Sequence, residues 1–237
     1  MPRVALAYWD EIEDESLKQG IPDIFLKREY IFEDEHGEKI PNPLYSYKFQ
    51  ASISDNLPRN PNDPHDYSKH PNYETVRYPF SGLVGTPEDR KRTELHNNAL
   101  KEKGDVHCNQ LLNGNIVTWL NLPCFRNDLP ETAPEKDKWI KAGIKDKFVA
   151  CMDAPNYTVF SNTTSAQQWN QDHQDTTGYK TIVPLEAPHN SMHLTVGGFE
   201  IATKDGSTSY NVYTGANGDM GENDTASFDP IFYFHHA

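Results

Sequence analysis

The pattern of apolar and polar positions is clearest in the middle of the chain, where it predicts helices. Thr86-Pro87-Glu88-Asp89 reads as a helix start, because a hydroxyl can cap the first turn, proline fits its first position, and acids follow near the positive end of the helix. We expect this helix to run towards Lys103 and to stop at Gly104. A second helix is predicted over residues 106–120, and its buried side is formed by Leu111, Leu112, Val117 and Leu120.

An amphipathic stretch follows, which starts near Pro134 and continues to Val149. Its apolar residues fall at positions i, i+1, i+5, i+9 and i+10, and lysines and acids fill the gaps between them. This spacing is typical of a helix that docks one side on a core. The apolar residues are Trp139, Ile140, Ile144, Phe148 and Val149.

The two ends of the chain show a different pattern. Residues 20–78 are rich in proline, asparagine, aspartate and tyrosine, and because proline lacks a backbone donor we expect long ordered loops here with at most short strands. Residues 159–164 begin a loop that leads into a helix from Glu186 to about Leu194, which residues 195–198 break. A glycine-rich loop covers residues 207–224, and Asp229-Pro230 opens a terminal helix. The predicted fold class is mainly α, a helical bundle core with long loops and a few short strands.

Length, charge and cysteine content narrow the class of protein. The chain has 237 residues, enough for one large domain or two small ones, and its formal net charge of −13 argues against nucleic acid or an anionic membrane as partner. Cys108, Cys124 and Cys151 are too few and too far apart for a disulfide scaffold or a zinc ribbon. No apolar run approaches the ~20 residues that span a bilayer, and the first residues do not resemble a signal peptide. The compartment stays open, with an intracellular location favoured over secretion.

Four of the ten histidines lie in two short segments. His189 and His193 are four positions apart, so on a helix they share one face and can bind one metal ion. Imidazole suits copper, zinc, iron and nickel, and an isolated pair of this spacing also arises by chance. His235 and His236 are adjacent and point about 100° apart on a helix, so one of them is a ligand candidate and the other lines the pocket. Phe232 lies one turn before His236 and can pack beside it.

Two motifs that contain these histidines resemble a known family. Asp229-Pro230-x-Phe232-Tyr233-x-x-His236 resembles the second-copper motif of the tyrosinases and related type 3 copper proteins. Residues 186–193, Glu-Ala-Pro-His-Asn-Ser-Met-His, resemble the preceding helix of the same site. Residues 8–10, 81–86 and 159–163 are each similar to stretches of fungal tyrosinases. The resemblance covers nearly the whole chain and implies a helical core of the tyrosinase type.

The resemblance implies a role for each residue of the two motifs. The three imidazole ligands of the second copper would be His189, His193 and His236, and His235 would be the neighbour that does not bind it. Glu186 corresponds to a glutamate that holds a water molecule in this family. Asn190 corresponds to an asparagine that helps this water take a proton from an incoming phenol. A simpler interpretation of Glu186 is an acid in the first helical turn that is favoured by the helix dipole.

The activity that the resemblance implies is oxidation of phenols by a dinuclear copper centre and O2. Monophenols would be hydroxylated in the ortho position and o-diphenols oxidised to o-quinones, as in melanin formation. The partners would therefore be O2 and a small phenolic substrate. Three alternatives stay open: a catechol oxidase without activity on monophenols, an oxygen carrier, and an inactive fragment that binds metal.

A dinuclear centre needs six histidines in this family, and only three fit a site here. None of the remaining histidines repeats the first-copper pattern of the family. His36, His65 and His70 lie in the proline-rich region, His173 in a polar loop, and His96 and His107 on separate helices. We therefore expect residues 1–237 to be a partial copper-binding domain. Its first-copper helices would precede residue 1, and its last helix would be cut short at residue 237.

Overall fold

The structure is a computed structural model that describes residues 7–31, 37–54, 67–85, 87–122, 143–198 and 217–237. These ranges contain eight α-helices and four short strands, so the predicted mainly-α fold class is confirmed. The helices are α1 Asp14–Gln19, α2 Pro87–Lys103, α3 Asp105–Asn121, α4 Ile144–Cys151, α5 Tyr157–Ser161, α6 Thr163–His173, α7 Glu186–Gly197 and α8 Phe232–His235. None of these helices is both long and apolar enough to cross a lipid bilayer.

Short strands are the only sheet structure in the described part of residues 20–78, as predicted. Strands β1 (Glu29–Ile31) and β2 (Lys39–Pro41) form one antiparallel pair, with Tyr30 opposite Ile40. Strands β3 (Ile53–Ser54) and β4 (Tyr67–Lys69) form the second. Each sheet has two strands, so neither can supply a core of its own.

Helix α3 is the centre of the hydrophobic core. It packs against α1, α2, α4 and α7, and its predicted boundaries are confirmed within a residue. Gly104, at φ +85°, separates it from α2, which ends where the sequence predicts. The buried residues of this core include four from α3 and four from later parts of the chain: Leu112, Ile116, Trp119, Leu120, Ile144, Met192, Val196 and Ile231.

Helix α4 buries a different set of residues from the one that the amphipathic pattern predicts. The described part of the predicted third helix is Ile144–Cys151, and residues 134–142 lie outside the described residues. Ile144 is fully buried as predicted, but Val149 is 58% exposed, and the core face carries Lys147 instead. Because a helix repeats every 3.6 residues, positions 144, 147, 148 and 151 share one face and 149 does not. The Lys147 ammonium is retained inside by a 2.7 Å hydrogen bond to Ser191 Oγ of α7.

Helix α7 is longer than predicted, and two glycines explain its end. It continues through Gly197, and only Gly198 breaks it, with a left-handed φ of +82°. A Cβ at Gly197 would lie 2.3 Å from the backbone nitrogen of Gly221, in the 3-10 turn Asp219–Gly221. The missing side chain at Gly197 therefore lets this turn pack directly on the helix.

Helices α5 and α6 were not predicted. The Asn156 side chain accepts a 3.0 Å hydrogen bond from the Val159 backbone N–H, and the Asn162 side chain accepts one of 2.9 Å from Ser165. Both asparagines are N-caps, a signal present in the sequence. His173, which was expected in a polar loop, is instead the last residue of α6.

Buried ion pairs connect the loop region to the last part of the chain. The Arg77 guanidinium donates from Nε to Asp229 at 2.8 Å and from Nη1 to the Phe25 carbonyl at 2.7 Å. Lys69 Nζ lies 3.1 Å from an Asp219 carboxylate oxygen, and both side chains are buried. These ion pairs fix the loop region that carries Lys69 and Arg77 against the last part of the chain, which carries Asp219 and Asp229.

Candidate metal centre

Two helices bring the predicted histidine ligands together. His189 and His193 project from one face of α7, and His236 directly follows α8. His236 Nε2 lies 3.1 Å from His189 Nε2 and 2.9 Å from His193 Nε2. Asp229 accepts a 3.1 Å hydrogen bond from the Ile231 N–H, as a cap would, although the regular helix begins only at Phe232.

Hydrogen bonds to the other ring nitrogens decide which nitrogen faces the site. His193 Nδ1 lies 2.8 Å from the Met220 carbonyl oxygen, which can only accept, so Nδ1 carries the proton. His189 Nδ1 lies 3.0 Å from Asn190 Oδ1, also an acceptor. The Nε2 atoms of His189 and His193 therefore carry lone pairs that point towards His236.

Burial keeps the rings of His193 and His236 neutral. Burial lowers the pKa of His193 from its ordinary 6.5 to about 4; the Met220 carbonyl opposes this shift, and the nearby rings of His235 and His189 add to it. Partial burial, followed by the same neighbouring rings, lowers the pKa of His236 to about 4. Neutral imidazole is the form that binds metal ions.

The donor set fits one imidazole-preferring ion. Two nitrogens that each lie about 2.0–2.1 Å from an ion and roughly at right angles to one another are about 2.9 Å apart. The two nitrogen–nitrogen distances to His236, 3.1 and 2.9 Å, match that spacing. Among the residues that the structure describes, no other group of three or more histidines, cysteines and acids could hold an ion.

His235 belongs to the same cluster but turns its ring towards Glu11. Its nearest ring nitrogen lies within 4.8 Å of the other three ligand atoms, and its Nδ1 is hydrogen bonded to Glu11 Oε1. The ring stacks on that of His189, with centroids 4.8 Å apart and planes 18° apart. Burial lowers the pKa of His235 to about 3 and raises that of Glu11 well above its ordinary value. Sequence reasoning missed Glu11, because nothing local marks a partner 224 positions away.

Phe232 packs beside His236, as predicted. The two rings are stacked with centroids 3.8 Å apart and planes 22° apart. The Phe232 ring also meets His193 edge-on at 5.7 Å. This aromatic contact restrains the orientation of the His236 ring.

Glu186 and Asn190 both lie on the exposed part of α7. The Glu186 carboxylate accepts hydrogen bonds from the backbone N–H and the hydroxyl of Thr163, both at 2.7 Å. These bonds lower the pKa of Glu186, so it stays ionised. The structure thus shows Glu186 capping the start of α6 and Asn190 orienting His189, while their predicted roles towards water and phenol stay predictions.

The remaining described histidines lie elsewhere. His96 Nε2 is 2.7 Å from the Pro79 carbonyl oxygen, and His173 stacks on Trp169 with centroids 3.8 Å apart. Together with His70 and His107 these make four further described histidines, and none of the four belongs to a second cluster of possible ligands within the described ranges. His36 and His65 lie outside the described residues.

A family model described as "Common central domain of tyrosinase" matches residues 1–237. The chain belongs to the tyrosinase family. The tyrosinase HcTyr2 of Hahella sp. (strain CCB-MM4) is 50% identical over 237 residues, and the tyrosinase of Aspergillus oryzae (strain ATCC 42149 / RIB 40) is 47% identical over 253 residues. Both alignments cover all of this chain, which spans 40% and 42% of the length of these two tyrosinases.

A solved structure shows the same fold. The tyrosinase from Burkholderia thailandensis at high pH is 41% identical and has a TM-score of 0.72, over 99% of this chain and 43% of that chain. The helical core of the tyrosinase type is therefore confirmed. The resemblance to fungal tyrosinases in particular stays a prediction, because the Hahella tyrosinase is at least as similar as the one from Aspergillus.

Proposed function

We propose that this protein binds copper through His189, His193 and His236 and oxidises phenols with O2. The observation that carries the proposal is the convergence of three imidazole nitrogens, with the Nε2 atoms of His189 and His193 at 3.1 and 2.9 Å from His236 Nε2. Imidazole nitrogens alone do not distinguish copper from zinc. Membership of the tyrosinase family supports copper.

Copper, when bound, supplies the redox chemistry with O2, and the resemblance implies a dinuclear centre. The three histidines proposed here provide for one ion. We propose that the ligands of the other copper come from outside residues 1–237, which span 40% and 42% of the length of the Hahella and Aspergillus tyrosinases. The chain would then be the part of a larger copper-binding domain that carries the second-copper ligands.

The residues of this chain also offer groups that can handle the proton of a phenol. A phenol has a pKa of ~10, like tyrosine, so a positioned base helps it to react as phenolate at neutral pH. We propose that the ionised Glu186 carboxylate and the Asn190 amide hold a water molecule that accepts this proton. The proximity of Asn190 to His189 Nδ1, 3.0 Å, supports a position at the edge of the site.

The metal assignment is tested by substitution of a ligand. His193→Ala should lose most of the copper that the protein binds, measured as copper per chain by elemental analysis of the purified protein. His173→Ala is the matched control, since it also removes one imidazole but stacks on Trp169 away from the cluster, and it should keep all copper. Unchanged copper in His193→Ala would contradict the ligand assignment, and two coppers bound by this chain would contradict the proposed division of ligands.

The activity is tested on a matched pair of substrates in the intact protein. Oxygen consumption with both p-cresol and 4-methylcatechol supports a tyrosinase whose o-quinone products can feed melanin formation. Oxygen consumption with the diphenol alone makes the protein a catechol oxidase. Reversible oxygen binding without turnover of either phenol makes it an oxygen carrier and overturns the proposed activity.

A further inference from the structure

We propose that Glu11 is a positioning residue, which holds the His235 ring and through it the ring of the ligand His189. The inference rests on the proposed function, because it assigns a role at the same metal site. It concerns a segment that contributes no ligand and lies at the other end of the chain. Two contacts join this segment to the end of α8: the Glu11–His235 hydrogen bond and a 2.9 Å bond from the Trp9 N–H to the Phe234 carbonyl.

The segment that carries Glu11 is itself held in place. The Trp9 indole is buried, and its Nε1 donates to Ser16 Oγ of α1 at 3.0 Å. Ser16 Oγ in turn donates to the Asp10 carbonyl at 2.6 Å. Helix α1 packs on α3, in the centre of the core. Glu11 therefore has a fixed position relative to the core, and its hydrogen bond to His235 fixes the position of the His235 ring as well.

Burying an acid at this position is energetically unfavourable without a specific contact. The Glu11 side chain is 5% exposed and that of His235 2% exposed. Glu11 Oε2 has no hydrogen-bond partner among the described residues, so His235 is the one group that the carboxyl is seen to hold. A leucine of similar size would fill the space without this desolvation penalty. The arrangement is thus explained by the contact with His235 better than by packing.

Among the three ligands, His189 depends most on this support. His193 is held by the buried Met220 backbone at 2.8 Å, and His236 by the Phe232 ring at 3.8 Å. The hydrogen-bond partner of His189, Asn190, is an exposed side chain. The nearly parallel His235 ring is the buried group that restrains the His189 ring. A rotation of the His235 ring out of its plane would therefore displace the His189 ring. Partners of this kind set ligand orientation and tune metal binding.

The test compares two substitutions of Glu11 that separate packing from hydrogen bonding. Glu11→Leu keeps the volume and removes the buried acid, but it leaves His235 Nδ1 without its partner, so these two opposing effects on the melting temperature of the metal-free protein should largely cancel. Its copper affinity, measured by chelator competition, should still fall about 10-fold or more. The visible spectrum of the Co²⁺-loaded site should change as well. Glu11→Gln can hydrogen bond to His235 Nδ1 and should retain both wild-type readouts. Glu15→Leu, at an exposed position of α1, is the control.

Several outcomes would overturn the inference. Wild-type affinity and Co²⁺ spectrum in Glu11→Leu would show that Glu11 acts through stability alone. Loss of all copper in the double variant Glu11→Leu/His235→Phe, which leaves no unpaired buried acid, would make His235 itself a ligand. Retention of copper by His193→Ala contradicts the proposed function instead. A Glu11→Leu variant that behaves as wild type while His193→Ala loses copper removes only the positioning role.

Discussion

The two ligand candidates on α7 are oriented by different kinds of group, a backbone carbonyl for one and a side chain for the other. His193 is oriented by the Met220 backbone carbonyl at 2.8 Å, which is present whatever side chain position 220 carries. His189 is oriented by the Asn190 side chain at 3.0 Å, which a single substitution deletes. Of the two rings on α7, His189 is therefore the one whose tautomer depends on residue identity.

Substitution of Asn190 should test this dependence. Asn190→Leu leaves His189 Nδ1 without its acceptor, so the tautomer with a free Nε2 loses its advantage. Copper affinity should fall by about 10-fold, as is typical for loss of a hydrogen-bond partner of a ligand. Asn190→Asp keeps an acceptor oxygen at the same position and should restore affinity. Equal affinity in the leucine and aspartate variants, measured by chelator competition, would contradict this account.

The lowered pKa values of the histidines predict a pH dependence for the metal-free protein. Between pH 6.5 and about 4 the unfolded chain takes up protons at His193 and His236 that the folded chain does not. The free energy of unfolding should therefore be highest above pH 6.5 and decrease as pH falls through this window. Urea midpoints of the metal-free wild type and of His193→Ala/His236→Ala at pH 7 and pH 5 measure the effect. A wild-type midpoint that falls no more steeply than that of the double variant would contradict it.

At the scale of elements, α7 depends on a glycine for its contact with the Asp219–Gly221 turn. Gly197→Ala places a Cβ 2.3 Å from backbone that cannot rotate away, so it should destabilise the fold by roughly 1–3 kcal/mol and disturb the Met220 contact to His193. Gly114→Ala is the matched control, because that exposed position in α3 has no atom within 4 Å of the added Cβ. It should stabilise the protein by about 0.5–1 kcal/mol. Chemical denaturation measures both, and equal signs would contradict the interpretation.

The elements differ in how far the sequence predicts them, and the reason is physical. Helices α2 and α3 carry their own start signals and a glycine between them, so local reasoning suffices. The buried face of helix α4 depends on a tertiary contact, the Lys147–Ser191 hydrogen bond. The spacing of hydrophobic residues cannot indicate such a contact. The asparagine caps of α5 and α6 were present but lay in polar sequence without an apolar stripe.

At the scale of the whole molecule, buried ion pairs join segments that are distant in sequence. Arg77 and Asp229 are 152 positions apart, and their side chains are 8% and 1% exposed. Arg77→Ala leaves the Asp229 charge buried without its partner, so we expect a loss of about 3–5 kcal/mol. Arg28→Ala breaks the half-exposed pair with Asp105 and should cost no more than about 1 kcal/mol. Unfolding free energies from denaturant titration compare the two, and similar losses would contradict the role assigned to burial.

Separation along the chain explains which parts of the candidate site can be predicted from the sequence. His189 with His193, and Phe232 with His236, are each within one helical turn, so spacing and the tyrosinase resemblance find them. Glu11 and the Met220 carbonyl reach the site from 224 and 27 positions away. Such partners are set by the packing of α1, α3 and α7, which no local pattern encodes.

The contact between Glu11 and His235 also has a consequence for the order of assembly. Joining His193 to His236 closes a loop of 43 residues, whereas joining Glu11 to His235 closes one of 224. By loop-closure entropy alone, the longer closure costs about 1.5 kcal/mol more, and such non-local contacts form late in folding. The three imidazoles can therefore meet before the N-terminal segment reaches them. An ion captured early would occupy a loosely ordered site, which becomes rigid only when the two distant parts of the chain close.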